Sequence, residues 1–424
     1  MYVKCRSIFA QTSSEILGCL RKIPALASKS HTVLFSISPA PSWPDSSLAE
    51  VVTSLSSLPH SLGCLSAPVK LQPQKRVISA AEGNIEEYAL CSVAIFDSRV
   101  ATPFISTIPG REAPQVGRWH AFRKGGNAKL QDHQVPQSKI NVDWESIWAQ
   151  KEGQHDLPEE LQHLRTDDIA KVLYISDKAP EGLYNALARF TKATKLGILA
   201  HSTPFLTGHP QTLFYNKAII SSGAVGLCLH RNPQSPASVT FDFPDLHPIT
   251  PMLRVSDSEG NLIHSIDDQN PSRLLLDAIA KLDSTAKDDT YYVGVYPPTS
   301  FSACSTPAQL YNIMSGDPSR GTIALEGDSS PTEGERVQIF RRPAGIRSMV
   351  APRRGLNLCT AYPDGLDVLL PQDTSFNGVL ELDGAFITVS ENGLVIGRPG
   401  QDSSRSAATW KSTLPGGSCN LYWP

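Results

Sequence analysis

The hydrophobic positions of the chain form short apolar runs separated by helical stripes. Val225–Leu229 is an apolar run entered through small residues, which is typical of a strand covered on both faces. Residues 259–261 (Glu-Gly-Asn) tolerate a positive φ, so Met252–Val255 and Leu262–Ile266 are predicted to pair as a hairpin. Pro271 opens a predicted helix, because the first helical turn needs no amide hydrogen at that position. Together these patterns predict a mixed α/β fold.

The amino-terminal half alternates in the same way. Thr12 and Glu15 have the spacing of a capping box before an apolar stripe, so a helix is predicted ahead of a strand at 32–38. Ser47 and Glu50 have the same spacing, which predicts a second helix from Ser47 to about Leu58. Further strands are predicted at 61–66, 88–96, 171–176, 196–200 and 213–220.

The remaining segments complete this outline. Residues 108–166 are polar with only short apolar islands, which indicates an insertion into the fold. Strands are predicted at 291–296, 322–328 and 333–342. Near the carboxyl end, Ala385–Ser390 and Leu394–Gly397 are predicted to form a hairpin around the Glu-Asn-Gly turn at 391–393. No tandem repeat is evident.

The order of these motifs resembles the FIST family, the F-box and intracellular signal transduction proteins. The resemblance rests on Gly223-Ala-Val-Gly226, the Pro-Ile-Thr-Pro segment at 248–251, the hairpin ending in Ile266-Asp267 before a helix, and the Gly63-Cys64 strand end. Thr250 stands where the family usually has glycine. The resemblance implies two lobes, each a mainly β sheet core flanked by helices. An amino-terminal domain at 1–235 would contain the insertion at about 108–166, a linker would span 236–252, and a second domain would cover 253–424.

The same resemblance implies a function. FIST domains are thought to be small-ligand sensory modules, with amino acids as one ligand class, and this chain would signal through a protein partner. Two alternatives stay open. Asp156–Leu161 resembles the start of an F-box, which would make the chain an adaptor in ubiquitin ligation. An unrecognised enzyme would use Cys64, or Asp97 together with Asp177.

Composition limits the classes of partner and the cellular compartment that are expected for this chain. With 38 basic and 41 acidic residues the net charge is −3, so we expect no nucleic-acid partner. No run approaches the ~18 apolar residues of a membrane span, and we expect a soluble protein with no membrane partner. The eight cysteines include no C-x-x-C pair, which is typical of reduced thiols inside cells. A cytoplasmic location is expected. Residues 1–44 contain five basic residues and one acidic residue, so a presequence for the mitochondrial matrix is the alternative.

Candidate chemistry is sparse. The sequence contains no phosphate loop, nucleophile elbow or zinc motif, so no cofactor or metal is expected and binding is favoured over catalysis. Ligands of α/β sheets gather beyond strand ends. The candidate ligand-binding residues, chosen from strand ends and turns, are Cys64, Ser66, His201, Thr203, Thr250 and Asn392. A buried structural thiol is the favoured interpretation of Cys64, and the alternative is a reactive thiol whose pKa is lowered by nearby backbone donors.

Overall fold

The computed structural model describes residues 4–23, 28, 30–72, 88–110, 156–232, 236–282, 286–296, 306–317, 321–327, 329–370, 378–399 and 409–423. Within these residues, strands greatly outnumber helices and form five sheets. The α/β expectation is therefore confirmed in its coarse form, with β structure dominant. Residues 111–155, most of the predicted insertion, lie outside the described residues.

The helices of the described residues are short. They are α1 (Ser13–Arg21), α2 (Asp45–Ser56), α3 (Glu181–Leu187), α4 (Pro204–Thr207) and α5 (Pro271–Ala280), with single 3-10 turns at Glu159–Leu161 and Thr166–Asp168.

The capping box predicted for α1 is confirmed. The Thr12 hydroxyl accepts the amide N–H of Glu15, and the Glu15 carboxylate accepts the amide N–H of Thr12 at 3.0 Å. The cap predicted for α2 is wrong. This helix begins at Asp45 rather than at Ser47, with the N-cap at Pro44, whose fixed φ of −68° already suits the entry to a helix. Glu50 instead accepts a hydrogen bond from Ser13 at 3.3 Å, so it ties α2 to α1.

The strands, in chain order, are β1 (Lys4–Ala10), β2 (His31–Ser38), β3 (Ser61–Leu65), β4 (Val69–Gln72), β5 (Ala89–Asp97), β6 (Ala101–Ser106), β7 (Ile169–Ser176), β8 (Thr194–Leu199), β9 (Leu213–Tyr215), β10 (Ala218–Ile220), β11 (Ala224–His230), β12 (Ser238–Asp242), β13 (His247–Pro248), β14 (Leu253–Glu259), β15 (Leu262–Ile266), β16 (Thr290–Tyr296), β17 (Gln309–Asp317), β18 (Thr322–Leu325), β19 (Arg336–Arg342), β20 (Met349–Val350), β21 (Gly355–Thr360), β22 (Leu366–Leu369), β23 (Val379–Asp383), β24 (Ala385–Ser390), β25 (Leu394–Gly397), β26 (Thr409–Ser412) and β27 (Ser418–Tyr422). The predicted hairpin of β14 and β15 is confirmed.

Three of the sheets contain a four-strand unit with the same connectivity. The spatial order is β1-β5-β2-β3 in the first unit, β6-β11-β7-β8 in the second and β12-β27-β21-β24 in the third. In each unit the first and last strands of the chain segment pair antiparallel, and the second and third strands pair parallel. Helix α2 connects the parallel pair of the first unit, and α3 connects that of the second. The described fold is therefore an internal structural repeat that the sequence did not reveal.

The three units share a core. An apolar cavity of about 20 Å³ lies among Leu34 and Leu62 of the first unit, Leu196 and Leu227 of the second, and Phe386 of the third. All five side chains are at least 95 % buried. Apolar burial at this junction holds the three sheets together.

Two equivalent glycines mark the first two units. Gly63 on β3 lies beneath the ring of Phe35 on β2, and Gly197 on β8 lies beneath the ring of Tyr174 on β7. A Cβ at Gly63 would lie 2.2 Å from the Phe35 carbonyl oxygen, and a Cβ at Gly197 would lie 2.3 Å from the Tyr174 ring. Glycine is thus required at the same place in both units, because the aromatic ring of the neighbouring strand crosses it.

The strands from β13 to β19 form a sheet of their own. β14, β15, β18, β17, β16 and β19 pair in that order, and β19 pairs back with β14, so six strands close into an antiparallel barrel. α5 packs against β15 and β18. The barrel is inserted between the first and second strands of the third unit, which separates these strands by more than a hundred residues of sequence.

Strand pairings also connect distant parts of the sequence. β23 extends the first unit beside β1, β25 extends the second beside β8, and β22 pairs with β4. Three of the described sheets therefore contain strands from both sides of the expected linker at 236–252. The expected division into two lobes does not coincide with a division of these sheets.

The carboxyl-terminal hairpin predicted around residues 391–393 is wrong. β24 pairs with β21 of the third unit, whereas β25 pairs with β8 and β26. The Glu-Asn-Gly turn thus carries the chain from one sheet to another. A turn of this sequence can join two paired strands of a hairpin or two strands of different sheets. The strands that are available as pairing partners decide which connection forms.

Candidate functional site

The third strands of the three units end beside one another. Ser66, just after β3, donates to the carbonyl of Val389 on β24 at 2.9 Å and accepts its amide N–H at 2.8 Å. Asn392, just after β24, donates to the carbonyl of Ala200, just after β8, at 2.6 Å. These bonds place three strand ends from three different parts of the chain in one neighbourhood.

His201 and Glu391 form the charged centre of this neighbourhood. Nδ1 of His201 lies 2.5 Å from Oε2 of Glu391. The other carboxylate oxygen accepts the amide N–H of Ser202 and the side-chain amide of Asn392, both at 3.1 Å. Each side chain is about three-quarters buried. The carboxylate therefore fixes the ring of His201 in one orientation.

The environment of Glu391 keeps it ionised. Burial on its own would raise the pKa of this carboxyl, but the hydrogen bond and charge of His201, with the Ser202 amide, outweigh burial and lower the pKa to about 2. All the contacts given above come from donors, as an ionised carboxylate requires.

A cleft of about 190 Å³ opens beside His201. It lies beyond the carboxyl ends of the parallel strands β2 and β3 and at the start of α2. Its walls come from the segments that follow β2, β3 and β8, and they consist of Pro39, Ala40, Pro41, Trp43, Pro44, Asp45, Leu48, Ser66, Pro68, His201 and Leu206. Ligands of α/β proteins bind at this end of parallel strands, so the cleft is the candidate ligand site.

Three of the six predicted site residues belong to this neighbourhood. Ser66 and His201 line the cleft, and Asn392 holds the Glu391 carboxylate behind His201. Thr203 is close in sequence but buried. Its hydroxyl bonds to Thr212 at 2.7 Å and to the carbonyl of His209 at 3.1 Å, so it fixes the loop after β8.

Cys64 and Thr250 lie apart from the cleft. Cys64 is fully buried beneath β24, with its sulfur 3.8 Å from the Thr388 hydroxyl. Burial raises the pKa of its thiol to about 11, although its hydrogen bonds with Thr388 and Ser36 oppose this effect. The expectation of a lowered pKa is therefore wrong, and the buried structural thiol is confirmed. Thr250 accepts the amide N–H of Ile339 at 3.0 Å and serves the strand pairing of the barrel.

The other candidate signals also have structural roles. Asp97 pairs with Arg99, whose hydrogen bonds lower the pKa of the carboxyl, and Asp177 accepts the amide N–H of Gly223 at 2.6 Å. In the segment that resembles an F-box start, Leu157 and Leu161 are buried in the core around α3. That segment belongs to the second unit.

Sequence reasoning missed Glu391, Asp45 and Trp43. Glu391 was assigned to a hairpin turn, and its partner His201 is 190 residues away, so no local spacing could reveal the pair. Trp43 precedes α2 and Asp45 begins it, whereas the predicted cap placed the start of this helix at Ser47. The Pro-rich stretch 39–44 after a strand was the available signal.

The described residues contain no group of three or more His, Cys, Asp or Glu side chains that could hold a metal ion. No helix within them is long and apolar enough to cross a membrane. A comparison with protein-family models finds no match, and a comparison with curated proteins finds no significant match.

Proposed function

We propose that this chain is a small-ligand-binding module of the FIST type, with its ligand in the cleft beside His201. The observation that carries the proposal is the ordered Glu391–His201 pair at the edge of a cleft beyond parallel strand ends. Glu391 and its donors hold the ring in place before any ligand arrives, which lowers the ordering cost of binding. The order of sequence motifs supports the family assignment.

The cleft suits a small metabolite. Its 190 Å³ is less than the ~300–1,000 Å³ typical of pockets for drug-sized ligands. Proline, tryptophan and leucine side chains supply an apolar surface, and His201 and Asp45 supply polar groups at defined positions. Such a site selects a ligand by shape and by one or two hydrogen bonds.

The proposed signal passes to a protein partner through the loop that contains α4. Leu206 lines the cleft, while its neighbour Phe205 is fully exposed. A ligand that contacts Leu206 would alter the position of Phe205 on the surface. Partner capture by the wild type and by Phe205→Asp protein, with and without ligand, tests this step. A partner that both proteins retain equally would exclude the loop.

The alternatives receive less support. An enzyme based on Cys64 would need a reachable thiolate, but this thiol is buried and its pKa is raised. A ubiquitin-ligase adaptor would need a free F-box helix, but the leucines of the resembling segment are buried in the second unit.

The test is thermal unfolding of the purified chain against amino acids, amines, organic acids and other small metabolites. A ligand at a hundred times its dissociation constant adds about 2.7 kcal/mol of stability, which a shift of the unfolding midpoint reveals. His201→Gln protein should lose most of that shift. His209→Gln is the matched control, because His209 is exposed on the same loop and does not line the cleft. A shift that His201→Gln protein retains in full, or no shift with any compound, would contradict the proposal.

A further inference from the structure

Carboxylates outnumber basic side chains around the cleft. Among its lining residues, Asp45 and His201 are the only ionisable ones, and no lysine or arginine is present. Asp45 is exposed, and within the described residues no cation pairs with it. Glu391 adds a second carboxylate behind His201. Charge complementarity therefore favours a cationic group on the ligand.

The orientation of His201 also favours a ligand group that donates hydrogen bonds, as a cationic N–H group does. Because the ionised Glu391 carboxylate only accepts hydrogen bonds, Nδ1 of His201 carries the proton that lies between them. The other nitrogen, Nε2, is an acceptor only in the neutral form of the ring, and that is the form that can bind a hydrogen-bond donor on a ligand. The hydrogen bonds of the described residues use Nδ1 and leave Nε2 for a ligand, so the group that matches the neutral ring is a hydrogen-bond donor, N–H or O–H, and the carboxylates nearby favour a cationic N–H group.

The rest of the cleft is apolar. Pro39, Pro41, Leu48 and Leu206 line it together with Trp43, whose indole N–H donates to the carbonyl of Gln11 at 2.7 Å. That bond fixes the aromatic ring at the cleft. An ammonium group can also be attracted to the face of a tryptophan ring.

Resting on the proposed function, we infer that the ligand is a small apolar amine, bound through its ammonium group to Nε2 of His201 and to Asp45. A carboxylate on the ligand finds no lysine or arginine among the lining residues and is repelled by Asp45. Free α-amino acids should therefore bind more weakly than the amines that share their side chains. The amino terminus of α2 also faces the cleft, but Asp45 in its first turn already offsets the helix dipole.

The experiment uses three matched probes with the same aromatic body: phenethylamine, phenylalanine and 3-phenylpropionate. Calorimetric titration of the full chain at pH 7.5 should rank phenethylamine first, at least tenfold tighter than 3-phenylpropionate. Asp45→Asn should weaken phenethylamine binding by about fivefold, the effect of one solvent-screened charge at contact distance. Glu159→Gln, which removes an exposed acid away from the cleft, should leave it unchanged.

The outcomes separate this inference from the proposed function. Tighter binding of the acid than of the amine would show an anion site at α2 and overturn the inference, while the ligand-binding function would stand. The same holds if none of the three probes binds and the metabolite screen yields only neutral or acidic ligands. Amine ligands from the screen that weaken in Asp45→Asn protein would support the inference. A screen without any ligand would overturn both.

Discussion

At the scale of single residues, the Glu391–His201 pair links the site to stability. The pKa of Glu391 is about 2 in the folded chain, below the ordinary glutamate value of about 4.3 in an unfolded chain. A lowered folded-state pKa contributes stability above about pH 4.5, and this contribution is lost as the pH falls towards 2. The pair therefore stabilises the fold at neutral pH as well as ordering the cleft.

The corresponding prediction concerns Glu391→Gln. At pH 7 this variant should be less stable by about 2 kcal/mol, allowing for the partial exposure of the pair. The difference from the wild type should shrink between pH 4.5 and pH 3, because the carboxyl of the unfolded wild-type chain takes up its proton there while the folded-state carboxyl, with its pKa of about 2, stays ionised. Urea unfolding at a series of pH values measures it, with Glu159→Gln as the exposed control. A difference that stays constant over this range would refute the linkage.

Burial of Cys64 makes a second prediction. Alkylation of the native protein by iodoacetamide at pH 8 should leave Cys64 unmodified, whereas the urea-unfolded protein should react within minutes. The reason is that the thiol is inaccessible and its raised pKa leaves little thiolate. Peptide mass mapping checks this. Rapid labelling of Cys64 in the native chain would reopen the enzyme hypothesis.

At the scale of elements, the helix caps can be compared directly. Thr12→Ala should destabilise the protein by about 1 kcal/mol, because it removes the hydroxyl that caps α1. Ser47→Ala has the same apparent motif but lies inside α2, and it should cost less than about 0.5 kcal/mol. Chemical denaturation of both variants gives the comparison. Equal losses would contradict a start of α1 capped by Thr12 and a start of α2 at Asp45.

The same contrast shows how far the elements could be predicted. Helical stripes and apolar runs located α1, α5, β2, β5 and β11, because periodicity depends on local burial. The spacing of Ser47 and Glu50 predicted a helix start at Ser47 that is wrong, because α2 begins two residues earlier, at Asp45. β1 was missed, because its two basic residues resembled a presequence. Those residues lie on the exposed side or edge of a strand whose Ile8 and Phe9 are fully buried.

β1 supplies a prediction of its own. It lies between β5 and β23, and truncating buried residues such as Ile8 and Phe9 typically costs roughly 2–5 kcal/mol each. Removing residues 1–22 should therefore abolish cooperative unfolding, since a domain has only ~5–15 kcal/mol of total stability. Thermal unfolding followed by circular dichroism compares this protein with the full chain. An unchanged transition would show that β1 is dispensable.

At the scale of the whole molecule, three units of the same connectivity create the site. The third strand of each unit ends beside the others, and the residues just after those strands are Ser66, Ala200 with His201, and Glu391 with Asn392. The cleft thus depends on three distant segments of the chain. The sequence predicted Ser66, His201 and Asn392 as site residues because each follows a strand, and the end of a strand can be recognised within one unit without knowing the other two.

The repeat itself could not be predicted from the sequence. The barrel separates β12 from β21, and the predicted insertion separates β6 from β7. The described residues between the parallel strands of the third unit, 361–370 and 378–384, contain no helix. Glycines 63 and 197 have no glycine counterpart in the third unit, because β24 (Ala385–Ser390) contains none. The three units share their strand connectivity but not their residues, so the repeat can be recognised only from the strand pairings. For the same reason Glu391 could not be connected to His201 from sequence.

The most direct test of the account is a nitrogen-15 NMR measurement of the histidine side chains in selectively labelled protein. The imidazole signal that is absent in His201→Gln protein should report a proton on Nδ1 in the free state. Its Nε2 signal should shift when a ligand from the screen is added, while the signal of exposed His209 stays in place. A ligand that leaves the His201 signal unchanged and shifts other histidines would place the binding site elsewhere and contradict the account.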